Sequence, residues 1–297
     1  MINAVCNEDG APTFAASVNG IAIYLDYFAI KTLAKGDGSL RQRFVAAVNQ
    51  GADLLFSVTN GIEISAAQGA SSKAIRAFLD DLGPHWYPVE LDSLEIVKRE
   101  QAGKSPSKCC LAEGLLTAFF SDKTSDHAPG SGKIISLSDE FFRLGDFVDW
   151  LSPKRDWFLQ RSRAFDAQLK ASVQKLRVKH SRNPGWLDRV IPTPQFHPAA
   201  AGTFARACLM RQLISDRGYQ VKKGDGLDLC HAVVASAFAN FATLDKQWKR
   251  RVENFPKPNN VARVYYEPQL SAMIADVETA LSQLKTMGRH SRDYLAR

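Results

Sequence analysis

The sequence predicts an α/β protein, with a parallel central sheet flanked by helices and a largely helical insertion in the middle of the chain. Three observations carry that expectation. Short apolar runs alternate with helical patterns near the start and again after Gly218, as they do where helices cross over between parallel strands. From about Leu91 to Gly218 helical periodicity replaces the strand-like runs. Several acids stand directly after apolar runs, where the strands of such a sheet would end.

Taken in order, "NGIAIYLDYFAIKTLAKGDG" predicts a buried strand over Ile21–Leu25 and a helix from about Phe28 to Ala34, stopped by Gly36. "RQRFVAAVNQGA" spaces Phe44, Val45 and Val48 helically and ends at Gly51. "DLLFSVTN" reads as a second short strand, "GIEISAAQGASSKAIRAFLDDLG" as one helix or two closed by Gly83-Pro84, and "HWYPVEL" as extended chain. In the middle, "CCLAEGLLTAFFSD", "SDEFFRLGDFVDWL", "PKRDWFLQRSRAFDAQLKASVQKLRVKH" and "AAAGTFARACLMRQLISDRG" read as helices. The third of these sets Phe158, Phe165, Leu169, Val173 and Leu176 in an apolar stripe among basic residues. "HAPGSGK" and "SRNPGWLDRVIPTPQFHP" read as loops. After Gly218 come a helix from Asp228 to Ala239, a strand "NFATLD", a helix "KQWKRRVENF", a strand "ARVYY" and a closing helix "PQLSAMIADVETALSQLKTM". The expected organisation is an α/β unit of residues 1–90 and 219–297, interrupted by a helical insertion over 91–218.

At 297 residues, 45% hydrophobic and 23% charged, the composition is that of an ordinary globular protein. No apolar run approaches the roughly 18 to 20 residues of a membrane span, so no membrane partner is expected. "MINAVCNEDGAP" has neither a basic start nor a continuous hydrophobic segment, so no secretory signal is expected. The five cysteines (Cys6, Cys109, Cys110, Cys208, Cys230) are odd in number and show no C-x-x-C spacing. That argues against a zinc ribbon or disulfide scaffold, and for buried free thiols in a reducing cytoplasm.

The net charge of +7 is local: ten Lys or Arg and three Asp stand between Lys154 and Pro192, and the rest of the chain balances. A field of that kind suits a polyanion, nucleic acid foremost. A solvated helix face is the plain alternative.

The acids are more telling. Asp26 stands at the carboxyl end of the first strand. Ser57 and Thr59 end the second, with Glu63 one turn into the next helix. Asp228 opens a helix and Asp245 ends the strand after it. In a parallel sheet the carboxyl ends of the strands share one edge, and ligands bind in the crevice there. Four carboxylates converging without basic partners could not all stay ionised. A divalent cation removes that conflict, and hard oxygen ligands suit Mg²⁺ or Mn²⁺. Metal ions held by carboxylates hydrolyse phosphodiesters by activating water and stabilising the leaving oxygen.

These blocks resemble a known family. "IAIYLDYFAIKTLAKGD" is similar to the opening strand and helix of the PIN-domain nucleases, "LLFSVTNGIEISAAQG" to their second strand and helix, and "GDGLDLCHAVVASAFANFATLD" to their third acidic block. The resemblance covers about residues 19–90 and 219–285 and leaves the middle unexplained. It implies a PIN-like α/β/α fold and a metal-dependent nuclease, more on RNA than DNA, in a family that includes bacterial toxins. It also implies that Asp26, Glu63, Asp228 and Asp245 hold the metal, with Thr243 a hydrogen-bonding companion and Asp225 able to stand in or assist. Arg161, Arg163, Lys175 and Lys179 of the insertion are then the expected nucleic-acid contacts. A protein inhibitor or effector partner and a homo-oligomer are both left open.

Each acid also has a plainer reading. Asp26, Asp228 and Asp245 could cap helices, Glu63 could be a first-turn Glu favoured by the helix dipole, and Asp225 could sit in a Gly-flanked turn. His231, one turn after Asp228, could form a D-x-x-H metal pair with it, but the expected reading is a hydrogen-bonded structural residue, with Cys230 a core residue. Trp157, Phe158 and Trp186 lie in the basic segment and could stack on bases, although helical spacing favours core packing for Phe158. A non-catalytic nucleic-acid- or protein-binding module on the same fold is the main alternative. An aspartyl phosphotransferase would want D-x-D after the first strand, and position 28 is Phe.

Overall fold

The structure is a computed structural model that describes residues 2–6, 12–16, 20–65, 69–124, 134–136, 143–183 and 185–286. Strands β1 (Ile2–Cys6) and β2 (Pro12–Ala16) precede β3 (Ile21–Tyr24), helices α1 (Tyr27–Lys35) and α2 (Gly38–Asn49), β4 (Ala52–Ser57), helices α3 (Val58–Ser65) and α4 (Ala70–Asp81), and β5 (Trp86–Val89). The middle holds α5 (Ser93–Gln101), α6 (Pro106–Cys110), α7 (Glu113–Thr124), β6 (Ile134–Ser136), α8 (Leu144–Leu151), α9 (Arg155–Arg182), α10 (Trp186–Val190) and α11 (Ala201–Ser215). Then follow α12 (Asp225–Phe238), β7 (Phe241–Thr243), α13 (Lys246–Glu253), β8 (Arg263–Tyr265) and α14 (Leu270–Thr286).

Strands β3, β4, β5, β7 and β8 form one sheet in the order β5-β4-β3-β7-β8, every pair parallel. Helices flank it, so the α/β expectation holds. The strands had to be read from continuous apolar runs because both faces are covered: Ile21–Tyr24 and Ala52–Ser57 are buried at every position. The chain winds outward from β3 through β4 to β5, then returns to place β7 on the other side of β3. This reversal is a topological switch point, and it lies between the strand ends that carry Asp26 and Asp245.

The middle residues share the same core. Leu169 and Val173 of α9 are buried, with Phe158 and Leu176 packed beside them, as the apolar stripe predicted. α9 is fastened to α12 at one close approach. A Cβ at Gly226 would lie 2.6 Å from the backbone of Phe165 and Asp166, so only glycine lets the two helices meet there.

Some elements depart from the sequence expectation. The second strand stops at Ser57 and Val58–Asn60 already belong to α3, because Ser57 and Asn60 cap each other: Ser57 Oγ donates to Asn60 Oδ1 at 2.7 Å and accepts the Asn60 N–H at 3.2 Å. A separate antiparallel sheet, in the order β2-β1-β6, was not anticipated. Its strands are short, Asn, Asp, Gly and Pro stand in or between the first two, and β6 lies inside the insertion read as largely helical. α5 was also missed; Asp92 caps it by accepting from Leu94 and Glu95. The "HAPGSGK" loop and the start of "SDEFFRLGDFVDWL" lie outside the described residues. Cys109, Cys110, Cys208 and Cys230 are buried free thiols. Among the described residues no helix is long and apolar enough to cross a membrane.

Candidate acidic site at the edge of the sheet

Two neighbouring strands end alike. β3 runs into Leu25-Asp26 and β7 into Leu244-Asp245, and each Asp is the N-cap of the helix that follows. Asp26 Oδ1 accepts from Ala29 N at 2.9 Å, and Asp245 Oδ1 accepts from Trp248 N at 2.8 Å. Both caps use Oδ1, so capping does not compete with a second role for Oδ2. Asp26, Glu63, Asp228 and Asp245 all line one cavity of about 210 Å³, together with Tyr27, Phe28, His231, Leu244 and Trp248. No Lys or Arg is among these lining residues.

The charges behave as such a wall requires. Burial, then the like charges of Asp228 and Asp26, push the Glu63 carboxyl up to about 7. Burial, then Asp245 and Asp225, push Asp228 up to about 7, against a hydrogen bond from the Trp248 side chain. Asp26 is raised by burial and by Asp245, less so because Ala29 and Thr243 donate to it. The couplings close into a ring: Asp26 with Glu63, Glu63 with Asp228, Asp228 with Asp245, and Asp245 with Asp26. Among the described residues no group of three or more His, Cys, Asp or Glu could hold a metal ion as it stands.

Beneath the cavity lies a buried polar chain. Asn60 Nδ2 donates to Leu25 O at 3.2 Å, Ser57 donates to Asn60, and Tyr24 Oη donates to Ser57 Oγ at 3.5 Å. Tyr24 Oη is also hydrogen bonded to His231 Nδ1. Each donor is used once if Nδ1 carries the imidazole proton. Burial pushes the His231 pKa down to about 4, so the ring is neutral at pH 7. His231 is thus hydrogen bonded, as expected, and it also lines the cavity.

Asp225 is placed differently from the other acids. α12 begins at Asp225, three residues before the expected start, and its carboxylate accepts from the Tyr219 hydroxyl at 2.6 Å and from Lys222 N at 2.5 Å. It does not line the cavity. The acid that orders this corner is Asp166 of α9, which accepts from Gly224 N at 2.9 Å and Gly226 N at 3.0 Å and so caps the helix bearing Asp228. Sequence reasoning missed Asp166, Tyr24, Asn60, Phe28 and Trp248. Only Phe28 carried a signal, an aromatic two residues after Asp26 that is 55% exposed at the cavity wall.

The basic expectations fall on α9 and are exposed. Arg161, Arg163, Lys175 and Lys179 all face solvent. Arg161 lies 3.8 Å from Asp92 and over the Trp157 ring, and Lys179 lies over Trp186. Arg163 and Lys175 sit on the same helix without close charge partners among the described ion pairs. Comparison with protein-family models, with curated proteins and with solved structures gives no match.

Proposed function

We propose that the chain is a metal-dependent nuclease that hydrolyses phosphodiester bonds, on RNA in preference to DNA, with Mg²⁺ or Mn²⁺ as the ion. One observation carries the reading: four carboxylates from four elements ring a single cavity at the carboxyl edge of a parallel sheet, with no Lys or Arg in its lining. Such a set is held together most readily by a cation. All the donors are hard oxygens, which fits Mg²⁺ or Mn²⁺ better than a softer metal.

Asp26, Glu63, Asp228 and Asp245 would hold the ion, with Thr243 and the cap bonds fixing the first and Trp248 the third and fourth. When bound, the ion supplies water activation and charge neutralisation at the phosphate. The chain's own part is to exclude cationic competitors, present Glu63 and Asp228 as carboxylates that the ion keeps ionised, and aim Asp26 and Asp245 from the strand ends. The preference for RNA rests on the PIN-domain resemblance alone.

A binding module without a working site is favoured by a different observation, that no three of these acids stand close enough to hold an ion unaided. On the nuclease reading the side chains close in on the ion, or reach it through water. The test is incubation of the purified protein with labelled RNA and DNA, with Mn²⁺ and with chelator, beside Asp26→Asn. Mn²⁺-dependent cleavage that Asp26→Asn abolishes in a folded protein is expected. No Mn²⁺ binding by calorimetry would decide for the binding module.

A further inference from the structure

The acid cavity has a larger neighbour of about 440 Å³, and Glu63 lines both. The neighbour opens between α3, α7 and α9, and its wall is mainly apolar: Val58, Ile62, Leu115, Phe158, Phe165 and Leu227. Apart from Glu63, the charges in that wall are paired with one another. Arg99 donates to Glu90 at 3.1 Å, and Arg161 lies 3.8 Å from Asp92. At the rim stands Trp157, 55% exposed, in edge contact with Phe158 and under the Arg161 guanidinium.

We infer that this cavity receives an unpaired nucleobase, and that the chain therefore takes single-stranded nucleic acid. The inference rests on the nuclease reading of the acids for its position beside a scissile phosphate. Four arguments support it. A cavity of about 440 Å³ lies within the range of roughly 300–1,000 Å³ typical of small-molecule sites. An apolar wall whose two guanidiniums already face carboxylates, and whose remaining charge is the acid Glu63, suits a flat, uncharged ring and not a phosphate. A largely exposed Trp beside a guanidinium is the platform on which bases stack in single-strand readers. Finally, the helix that presents Trp157 carries eight Lys or Arg against two Asp along its 28 residues, a track of the sign a phosphodiester backbone requires. A base inside a duplex must first be unstacked and unpaired to enter such a pocket, which disfavours the duplex. Because Glu63 is shared, a base in the large cavity places its neighbouring phosphate over the acids.

The test uses the full chain with chelator present, so that nothing is cleaved. A short single-stranded RNA carrying one fluorescent aminopurine, and the same RNA in a duplex, are titrated into the wild type, Trp157→Ala and Ser162→Trp. Ser162 lines the cavity on α9, so the second variant fills the pocket while leaving Trp157 and every charge in place. The single strand should bind the wild type about tenfold more tightly than the duplex, with the aminopurine quenched. Each variant should weaken single-strand binding by about tenfold, the scale of one lost stack, with an unchanged salt slope. Equal binding of duplex and single strand, an unquenched probe, or wild-type affinity in both folded variants would overturn the base pocket. Cleavage with Mn²⁺ is scored separately. Quenched binding without cleavage removes the nuclease reading and keeps the pocket; cleavage without quenching does the reverse; no binding at all removes both.

Discussion

The Thr243 hydroxyl donates to Asp26 Oδ1 at 3.1 Å and accepts the Asp26 backbone N–H at 2.8 Å, across 217 residues of sequence. These two bonds tie the end of β7 to the end of β3 at the point where the strand order reverses. Thr243 is fully buried, so its hydroxyl is shielded from solvent, while Asp26 is half-buried. It fixes Asp26 from outside its own helix, which a cap alone does not do.

Thr243→Val keeps the shape and removes both bonds. Leaving the Asp26 N–H without its acceptor, while Oδ1 keeps only the Ala29 N–H, should cost about 1–3 kcal/mol, read by denaturant unfolding. Thr243→Ser retains the hydroxyl and should recover most of that loss and of the Mn²⁺ affinity. Equal behaviour of the two variants in a Mn²⁺ titration would show that the hydroxyl does not position Asp26.

The two strongly raised carboxyls set the pH dependence. Glu63 and Asp228 are pushed up to about 7 in the folded chain, from ordinary values of 4.5 and 3.8. The folded state therefore binds protons more tightly than the unfolded one. Their contribution is complete below pH ~4 and is lost as pH rises through about 7. His231 acts in the opposite sense, since burial holds it near 4: it destabilises the fold as pH falls below its ordinary value of ~6.5. The acid effect is thus read cleanly above pH 6.5, by difference from Glu63→Gln. Without metal at pH 8, Glu63→Gln should melt about 3 °C or more above the wild type, roughly a kcal/mol for a chain of this size. Near pH 4 the two should differ least. Adding Mn²⁺ at pH 8 should raise the wild-type melting temperature and leave Glu63→Gln nearly unmoved. A melting difference that does not vary with pH would remove like-charge crowding as the cause.

Much of this site was legible because its parts are local. An apolar run followed by Leu-Asp marks both Asp26 and Asp245, and the burial of β3 and β4 on two faces gives continuous runs that cannot be mistaken for amphipathic ones. The parallel sense of the sheet was implied by alternation, and with it the convergence of the four acids on one edge; the strand order was not. What stayed hidden depends on contacts made at a distance. Asp166 caps α12 from 58 residues upstream, and no local pattern marks it as a cap. Tyr24 reads as one more apolar position in a strand, yet its hydroxyl joins His231 to Ser57. Asp225 carries the same local signature as Asp228, an acid before an Ala-rich helix; one turn of helix sends it to Tyr219 instead of the cavity.

The basic residues of α9 make a prediction about salt. Neutralising Arg161, Arg163, Lys175 and Lys179 together should weaken single-strand binding and flatten its salt dependence. Each lost phosphate contact lowers the logarithmic slope by about 0.7 for a single strand. Arg161 has Asp92 and Trp157 nearby, so its removal should change affinity more than slope, whereas Arg163 and Lys175 should change slope foremost. A slope equal to that of the wild type would place the phosphate track elsewhere on the molecule.

Asp166 links the middle of the chain to the acids, and the link can be cut in two ways. Asp166→Ala removes the acceptor for Gly224 and Gly226 N–H and should cost about 0.5–2 kcal/mol, the usual loss for an N-cap. Asp166→Asn keeps one oxygen acceptor and should restore most of it. Gly226→Ala attacks the same junction sterically, since its Cβ would meet the α9 backbone at 2.6 Å; neither backbone can yield as a side chain can, so the loss should exceed that of Asp166→Ala. Both changes free the first turn of α12, which holds Asp228. Hydrogen exchange at the amides of residues 224–228 should therefore accelerate, and the Mn²⁺ midpoint for cleavage should rise about tenfold while the melting transition stays cooperative. An unchanged Mn²⁺ midpoint alongside faster exchange would mean that Asp228 is held by Trp248 alone, and that α9 reaches the reaction only through the substrate.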